Sequence, residues 1–364
     1  MFHYLYLNFL DSIPLLNLFQ YITLRSILAG ILSFLFVVLL GKRFINFLTK
    51  RNSVENINEY LDDNHKKKTG TPNMGGFLIG VSILISTLLF SDLSNPKIQI
   101  LIWTYILFAI TGFIDDFTKL RKGTGLKIQL KFLIQILLTF LISFLIINQS
   151  QPFIYQEEVK SINNIILPFT KNIFDLGAIY FVLMMFIILG SANSVNFTDG
   201  LDGLATGSLI ISFSAITIFT YIAGNSVYSS YLYLPFISNV GEIVVFISAL
   251  IGSLLGFLWY NSNPAQIFMG DTGSIPMGAT LGLVAILIKQ EFLLLIIGGI
   301  FVIEALSVIA QIFSFRIFKK RIFLIAPIHH HFEKLGIKES KIVIRFWIIG
   351  IIFSLIAIAT LKIR

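Results

Sequence analysis

Long apolar runs alternate with short polar interruptions along the whole chain. About ten of these runs have the length and composition of a membrane-spanning helix, which needs roughly 20 mostly apolar residues. They centre on 22–41, 74–91, 98–114, 130–147, 173–191, 204–222, 241–258, 275–288, 292–313 and 342–361. Several are interrupted by glycine or by a single polar residue, and the eighth is short. The pattern predicts an all-α polytopic membrane protein.

The basic residues predict how the chain is oriented in the membrane. When the loops are assigned alternately to two sides, most of the 27 Lys and Arg residues fall on the side that holds 42–73, 115–128 and 315–341. Loops rich in Lys and Arg stay in the cytoplasm. We therefore expect this side to be cytoplasmic and both termini to lie outside. Because no connection is long enough for a soluble domain, we expect 1–364 to form a single integral-membrane domain.

Composition supports this architecture and narrows the possible functions. The chain is 56% hydrophobic and 13% charged, with a mean hydropathy of +0.86. Its net charge of +8 fits ordinary basic cytoplasmic loops as well as attraction of anionic head groups or substrates. No nucleic-acid partner is expected, because no soluble domain is available to bind one. The absence of cysteine excludes disulfides, thiolate nucleophiles and Cys-ligated zinc.

Five aspartates fall in three polar stretches on the predicted cytoplasmic side. Asp115 and Asp116 follow the third span, Asp199 and Asp202 follow the fifth, and Asp271 precedes the eighth. Adjacent carboxylates at a membrane surface are costly unless a cation holds them. Three acidic stretches at one surface therefore indicate a divalent-metal site for phosphate chemistry.

Each acidic stretch also has a purely structural interpretation. The two adjacent acids after the third span can pair with Lys119 one helical turn later. Asn196, Asp199 and Asp202 are spaced by threes, so they share one face if the segment is helical. The same residues also suit a capped helix start.

Two further stretches offer groups for a phosphorylated substrate. The segment Gly70–Gly76 follows three lysines and lacks a P-loop lysine, yet basic side chains with exposed backbone amides suit a phosphate. The loop 261–274 contains Asp271 between glycines. It also contains Phe268, which suits base stacking as well as a core or lipid-facing position.

The three adjacent histidines His329, His330 and His331 form the most unusual stretch. Adjacent residues on regular structure cannot all point to one metal, and Glu333 alone is weak support for zinc. Hydrogen bonding to phosphates is the better interpretation. Glu304 is an intramembrane acid, for which a functional role and a buried polar contact both stay open.

Together these motifs resemble the polyprenyl-phosphate N-acetylhexosamine-1-phosphate transferases over essentially the whole chain. The histidine stretch resembles the branch that transfers phospho-N-acetylmuramoyl-pentapeptide, and it differs from relatives that transfer GlcNAc phosphate. One departure is Asn73, where threonine is common and hydrogen bonding is retained. The motifs that carry the resemblance are Lys68 to Pro72, Asp115-Asp116, Asn196 to Asp202, Gly270 to Ser274 and Pro327 to Glu333.

The resemblance implies a magnesium-dependent phosphosugar transferase of peptidoglycan synthesis in the bacterial inner membrane, with its active site facing the cytoplasm. The implied substrates are UDP-N-acetylmuramoyl-pentapeptide and undecaprenyl phosphate, and the implied products are lipid I and UMP. The resemblance also suggests a homodimer. Two alternatives are the same chemistry on UDP-GlcNAc and, more distantly, an ion-coupled transporter.

The resemblance also implies roles for individual residues. Asp271 is expected to coordinate magnesium, with Asp116 as a second metal ligand or a base. The nucleoside pocket is expected around Phe268, Asn261 and Asp202. The implied catalytic residues are Asp115, Asp116, Asp271, His329, His330 and His331. The implied substrate-binding residues are Lys68, Asn73, Lys119, Lys131, Asn196, Asp199, Asp202, Asn261 and Phe268. Direct attack by the lipid phosphate and a covalent aspartyl intermediate both stay open.

Overall fold

Helices occupy all ten predicted spans. The structure, a computed structural model, describes residues 1–9, 14–50, 70–149, 152–168 and 172–363. The helices at the predicted spans are Ile22–Lys50 (α2), Gly75–Phe90 (α3), Pro96–Lys122 (α4), Ile128–Gln149 (α5), Ile179–Thr198 (α6), Leu204–Ala223 (α7), Ile243–Asn261 (α9), Asp271–Leu287 (α10), Gly299–Phe318 (α12) and Glu339–Ile363 (α14). Shorter helices are Phe2–Phe9 (α1), Ser226–Tyr231 (α8), Leu294–Ile297 (α11) and Ile328–Lys334 (α13), with 3-10 turns at Pro14–Gln20 and Val240–Glu242.

In the described part of the chain, eight helices are long and apolar enough to cross a membrane. The two shorter ones, α3 and α10, have 16 and 17 residues. These lengths and compositions are those of a multi-pass membrane protein. The assignment of the basic side to the cytoplasm and of both termini to the outside stays a prediction.

Helix α10 lies at the centre of the bundle, and all of its residues are buried. It packs against α4, α6 and α3. Glycines permit the closest approaches, since a Cβ at Gly112 of α4 would overlap the backbone of Asp271. A Cβ at Gly76 of α3 would overlap the backbone of Gly273. The first turn of α10 is thereby fixed against two neighbouring helices.

Two short antiparallel hairpins correct the purely helical prediction. Strand Phe153–Tyr155 (β1) pairs with Glu158–Lys160 (β2), and Asn164–Ile166 (β3) pairs with Ile173–Asp175 (β4). The predicted fifth span therefore begins later than expected, at Ile179 in place of 173. Apolar strand residues pack onto the bundle, and Phe153 is 2% exposed. Burial of these side chains stabilises strands too short to form alone.

The bundle has two chemically distinct ends, which we call the acid end and the hairpin end. Helix α4 runs from the hairpin end, where Pro96 follows the capping side chain of Asn95, to the acid end, where it stops at Gly123 in the left-handed conformation. Helix α10 runs back, and its 17 residues rise about 25 Å. The acid end carries Asp115, Asp116 and Asp271, and the hairpin end carries the four strands.

Candidate active site

Three aspartates meet at the acid end, and we call them the acid cluster: Asp115, Asp116 and Asp271. One carboxylate oxygen from each lies within 4.8 Å of the others. Their exposed fractions are only 2%, 1% and 8%. Helix α4 delivers the first two at its last turns, and α10 delivers the third as its first residue. The predicted clustering of these acids at one surface is confirmed for these three.

Asp116 caps the first turn of α10 from another helix. Its Oδ2 accepts hydrogen bonds from the Thr272 backbone N–H at 2.9 Å and the Thr272 hydroxyl at 2.7 Å. Its Oδ1 accepts from the Asp271 N–H at 3.3 Å. The first N–H groups of a helix lack intrahelical partners and carry partial positive charge, so a buried carboxylate is stabilised there. Asp116 therefore fixes the position of Asp271.

Two lysines face the other two acids. The Lys119 Nζ lies 2.8 Å from Asp115 Oδ2 and 3.0 Å from Asp271 Oδ2. The Lys131 Nζ, from α5, contacts Asp271 Oδ2 and lies 3.5 Å from Asp115 Oδ2. Counted as ionised groups, three carboxylates and two ammonium groups leave one negative charge in excess.

Asn196 joins the acid cluster from α6. Its Nδ2 donates to Asp271 Oδ1 at 2.7 Å and lies 2.9 Å from the Ser274 hydroxyl. A shared helical face with Asp199 and Asp202 required the segment to be helical, and this condition is not met, because α6 ends at Thr198. The chain turns through residues 199–203, where Gly203 adopts a left-handed φ of 77°, so Asp202 lies in the turn and not on a helix.

Asp202 and Asn261 instead hold the loop that precedes α10. Asp202 Oδ2 accepts from the Asn263 side chain and the Ala265 N–H, both at 3.0 Å. Asn261 donates to the Ile267 carbonyl at 2.9 Å and accepts from the Thr206 hydroxyl at 2.7 Å. Both side chains are buried, so they hold the loop backbone in place from the interior of the protein.

Phe268 lies on the same loop, half-buried. Its backbone N–H donates to the Pro72 carbonyl at 2.9 Å, and its carbonyl accepts from the Gly75 N–H at 2.8 Å. Asn73, between these partners, is buried and accepts from the Met74 N–H at 2.8 Å. The two predicted stretches therefore form one surface beside the acid cluster. Lys68 lies outside the described residues, and its role stays a prediction.

The three histidines of α13 point to three different partners. The buried His329 Nδ1 lies 3.1 Å from Glu304 Oε2 of α12. His330 Nδ1 lies 2.7 Å from Glu333 Oε2, and His331 Nδ1 accepts from the Leu324 N–H at 3.2 Å. They do not converge on one metal position, which agrees with the sequence-based argument that three adjacent residues on regular structure cannot share a metal. The contact with His329 supports the interpretation of Glu304 as a buried polar partner.

The turn after α6 lies against the histidines. A Cβ at Gly200 would overlap the His329 Nε2 and lie 3.4 Å from the His330 Nε2. This contact links the histidine stretch to the loop between α6 and α7, which also carries Asp199. The Asp199 N–H lies 3.3 Å from the Asn196 carbonyl.

Comparison with known proteins identifies the family. Residues 98–289 match the family described as Glycosyl transferase family 4. The chain is 46% identical over 352 residues, 96% of each chain, to the phospho-N-acetylmuramoyl-pentapeptide-transferase of Desulfotalea psychrophila. It is 44% identical to the proteins of that name from Oleidesulfovibrio alaskensis and Leptospira biflexa, over the full length of both chains in each pair. The chain belongs to the phospho-N-acetylmuramoyl-pentapeptide transferase family. The resemblance predicted from the motifs is confirmed, and the chain is a transferase.

In this transferase the acid cluster fits a hard divalent cation. Every ligand atom it offers is a carboxylate oxygen, which magnesium, manganese and calcium prefer. Asp115 Oδ2 and Asp271 Oδ2 already face a shared positive group, the Lys119 ammonium. Asp116 is less available because its Oδ2 accepts two hydrogen bonds from Thr272. The donor set thus supports metal binding and leaves the identity of the metal open.

Several contributing residues were not singled out from the sequence. Thr272 and Ser274 belong to a motif that was recognised, yet they received no role of their own. The available signal was their place in the first turn of a helix, where hydroxyl groups bond nearby backbone and side chains. Gln311 lies on α12. It holds the backbone of residues 322 and 323 through three hydrogen bonds of 3.0–3.1 Å.

Proposed function

We propose that this transferase moves phospho-N-acetylmuramoyl-pentapeptide from its UDP conjugate to undecaprenyl phosphate, giving lipid I and UMP for peptidoglycan synthesis. The observation that carries the proposal is the acid cluster with its two lysines, buried at the end of a membrane helix. Such a site can meet a lipid phosphate and a soluble nucleotide together. Phosphoryl transfer relies on positioning and charge neutralisation, and this site offers both.

The chemical step is a displacement at phosphorus. An oxygen of the lipid phosphate attacks the sugar-linked phosphorus of the donor, and the bond from that phosphorus to the oxygen of the uridine-linked phosphate breaks. UMP leaves with that oxygen. Lys119 and Lys131 are placed to neutralise the phosphate oxygens, since both already bind carboxylate oxygens at this point.

Magnesium is the proposed metal, held by Asp271 and Asp115, with Asp116 as the further candidate. When bound it supplies positive charge to the pyrophosphate. Both oxygens of each aspartate already accept from a protein donor: Asp115 Oδ1 from the Leu126 N–H at 2.8 Å, and Asp271 Oδ1 from Asn196. A nucleophilic aspartate would have to release such a bond. This supports direct attack by the lipid phosphate, which is already ionised at neutral pH.

The nucleoside is proposed to bind at the loop that carries Phe268. The half-buried ring is available for stacking, and Asp202 and Asn261 fix the loop backbone around it. The histidine stretch and Lys68 are proposed to bind phosphates. We also propose a homodimer, a location in the bacterial inner membrane and an active site facing the cytoplasm. The resemblance supports the first two, and the basic loops support the third.

The test is UMP release by purified protein in detergent, with UDP-N-acetylmuramoyl-pentapeptide, undecaprenyl phosphate and magnesium. We expect UMP only when both substrates and the metal are present. Release from UDP-GlcNAc and not from the muramoyl donor would move the protein to the alternative sugar. Folded protein that releases UMP from neither donor would contradict the proposed reaction.

A further inference from the structure

Helix α14 begins at Glu339, beside the turn that joins α6 to α7. The Glu339 Oε1 accepts a hydrogen bond of 2.7 Å from the Asp202 backbone N–H. The two residues are 137 positions apart in the chain, and the packing of α14 against α7 brings them together. Glu339 belongs neither to the acid cluster nor to the histidine stretch, so this contact connects the last helix to the candidate active site by a separate route.

A glutamate suits this position at the start of a helix. The first N–H groups of a helix lack intrahelical partners and carry partial positive charge, which stabilises a nearby carboxylate. The Glu339 side chain is long enough to reach the backbone of the neighbouring turn, and a carboxylate accepts a stronger hydrogen bond than a neutral oxygen does. The half-buried Glu339 therefore offers the Asp202 N–H a charged acceptor in a fixed place.

Apolar packing holds the same turn against α14. Leu201 in the turn and Leu204 at the start of α7 are buried in one apolar cluster with side chains from the first turns of α14. A Cβ at Gly207 of α7 would overlap the Trp347 ring of α14, so the two helices are in close contact. Burial of these side chains stabilises the packing of the turn on α14, and the Glu339 hydrogen bond adds a fixed orientation of the turn backbone.

Asp202 connects this turn to the loop that precedes α10. Its backbone N–H donates to Glu339, while its Oδ2 accepts from the Asn263 side chain and the Ala265 N–H, both at 3.0 Å. Ala265 lies three residues before Phe268 in the same loop. A continuous series of hydrogen bonds therefore runs from the start of α14, through Asp202, to the loop proposed to bind the nucleoside.

We propose that Glu339 is a positioning residue for the nucleotide donor: it holds Asp202, and through Asp202 the loop of Phe268, in the conformation that binds the nucleoside. The inference rests on the proposed function and adds to it a residue that touches no substrate. A loop that is already ordered binds its ligand more tightly, because less conformational entropy is lost on binding. Loss of the Glu339 contact therefore weakens donor binding and leaves binding of the acceptor, whose phosphate meets the acid cluster, unchanged.

Two substitutions separate the hydrogen bond from the charge at the helix start. Glu339→Gln keeps the side-chain length and an oxygen acceptor, whereas Glu339→Asp keeps the charge but is one methylene shorter. We expect the KM for the UDP-linked donor to rise by about tenfold in Glu339→Asp, the scale of one lost hydrogen bond to a charged group, and to rise less in Glu339→Gln. The KM for undecaprenyl phosphate should stay constant in both, as should both constants in Lys341→Ala, which changes an exposed residue of the same helix. A donor KM that rises in Glu339→Gln and stays at the wild-type value in Glu339→Asp would overturn the proposal.

Binding of UMP gives a second readout that does not need turnover. Titration calorimetry on the full-length protein in detergent with magnesium should give a Kd for UMP that is about tenfold higher in Glu339→Asp than in wild type, and unchanged in Lys341→Ala. A purely structural role would lower the melting temperature and leave the UMP affinity of the folded protein unchanged, so equal affinities in folded Glu339→Asp and wild type would overturn the positioning role alone. Wild-type protein that binds no UMP would count against the proposed function itself.

Discussion

The protein buries charged side chains at both ends of the bundle, but the two clusters differ in charge balance. At the hairpin end, Lys289 lies 3.1 Å from Glu291 Oε1 and donates to the Tyr180 hydroxyl and the Ile162 carbonyl, both at 2.7 Å. One ammonium group there faces one carboxylate. At the acid end, three carboxylates face two ammonium groups.

This difference distinguishes a structural ion pair from a candidate binding site. The balanced pair ties the strand segment near Ile162 to the end of α10 and is 3% exposed at each charged residue. Burial lowers the pKa of Lys289, although Glu291 opposes the shift, so the pair is held at a desolvation cost. The acid cluster has one carboxylate more than it has ammonium groups, although each carboxylate accepts hydrogen bonds from the protein. We propose that a divalent cation offsets this excess charge and attracts the phosphates of a substrate.

The largest expected effect comes from Asp271→Asn. The change removes one ligand charge and almost no volume, so turnover should fall by about 10³-fold, the scale of a lost transition-state contact. The melting temperature should hardly change. The matched control is Asp175→Asn on β4, where the Asp175 carboxylate accepts from the Gly177 N–H and an amide can do the same. Wild-type turnover in Asp271→Asn would remove this residue from the mechanism.

Lys289→Met should lower the stability of the protein and leave its turnover unchanged. It leaves Glu291 buried without its cation, and breaking a buried pair costs about 3–5 kcal/mol. The unfolding midpoint should fall, while UMP release per folded molecule stays near that of the wild type. Lys362→Met, which removes an exposed lysine bonded to Tyr231, is the control. A stable but inactive Lys289→Met protein would show that the hairpin-end cluster contributes to activity and is not a purely structural ion pair.

Asn196→Ala should have an intermediate effect on the acid end. The side chain orients Asp271 through one hydrogen bond of 2.7 Å, and loss of such a supporting contact costs about 10- to 100-fold in activity or metal affinity. The magnesium concentration for half-maximal turnover should rise. Asn193→Ala, one turn earlier and bonded to Gln135, should not shift it. If both variants need the same magnesium concentration for half-maximal turnover, Asn196 does not contribute to metal binding.

The smallest expected effect is a pH dependence at the hairpin end. Because the pKa of Lys289 is lowered from 10.5 in the folded protein, the unfolded chain binds more protons between the lowered value and 10.5. The free energy of unfolding should therefore rise with pH in that alkaline window. Lys289→Met should lack this contribution. The test is to measure the unfolding midpoints of wild type and Lys289→Met across this pH window. If both midpoints change with pH in the same way, Lys289 is not the source of the pH dependence.

The sequence predicted the helices well because the bilayer imposes a length and an apolar composition that single residues rarely override. It missed the hairpins because three-residue strands carry almost no periodic signal. Asn196 and Asp202 do not share a helical face because the chain turns at residues 199–203, where Gly203 adopts a left-handed φ, and spacing by threes alone does not reveal that turn. The pairing of Asp116 with Thr272 joins residues 156 apart, and only the packed bundle reveals such a contact.

We propose that the excess negative charge at the acid end binds a divalent metal, while the balanced pair at the hairpin end does not. The most direct test is manganese binding, followed by electron paramagnetic resonance on wild type, Asp271→Asn and folded Lys289→Met protein. We predict that wild type and Lys289→Met bind manganese equally and release it to excess magnesium, and that Asp271→Asn loses the site. Undiminished manganese binding by Asp271→Asn would show that the acid cluster is not the metal site.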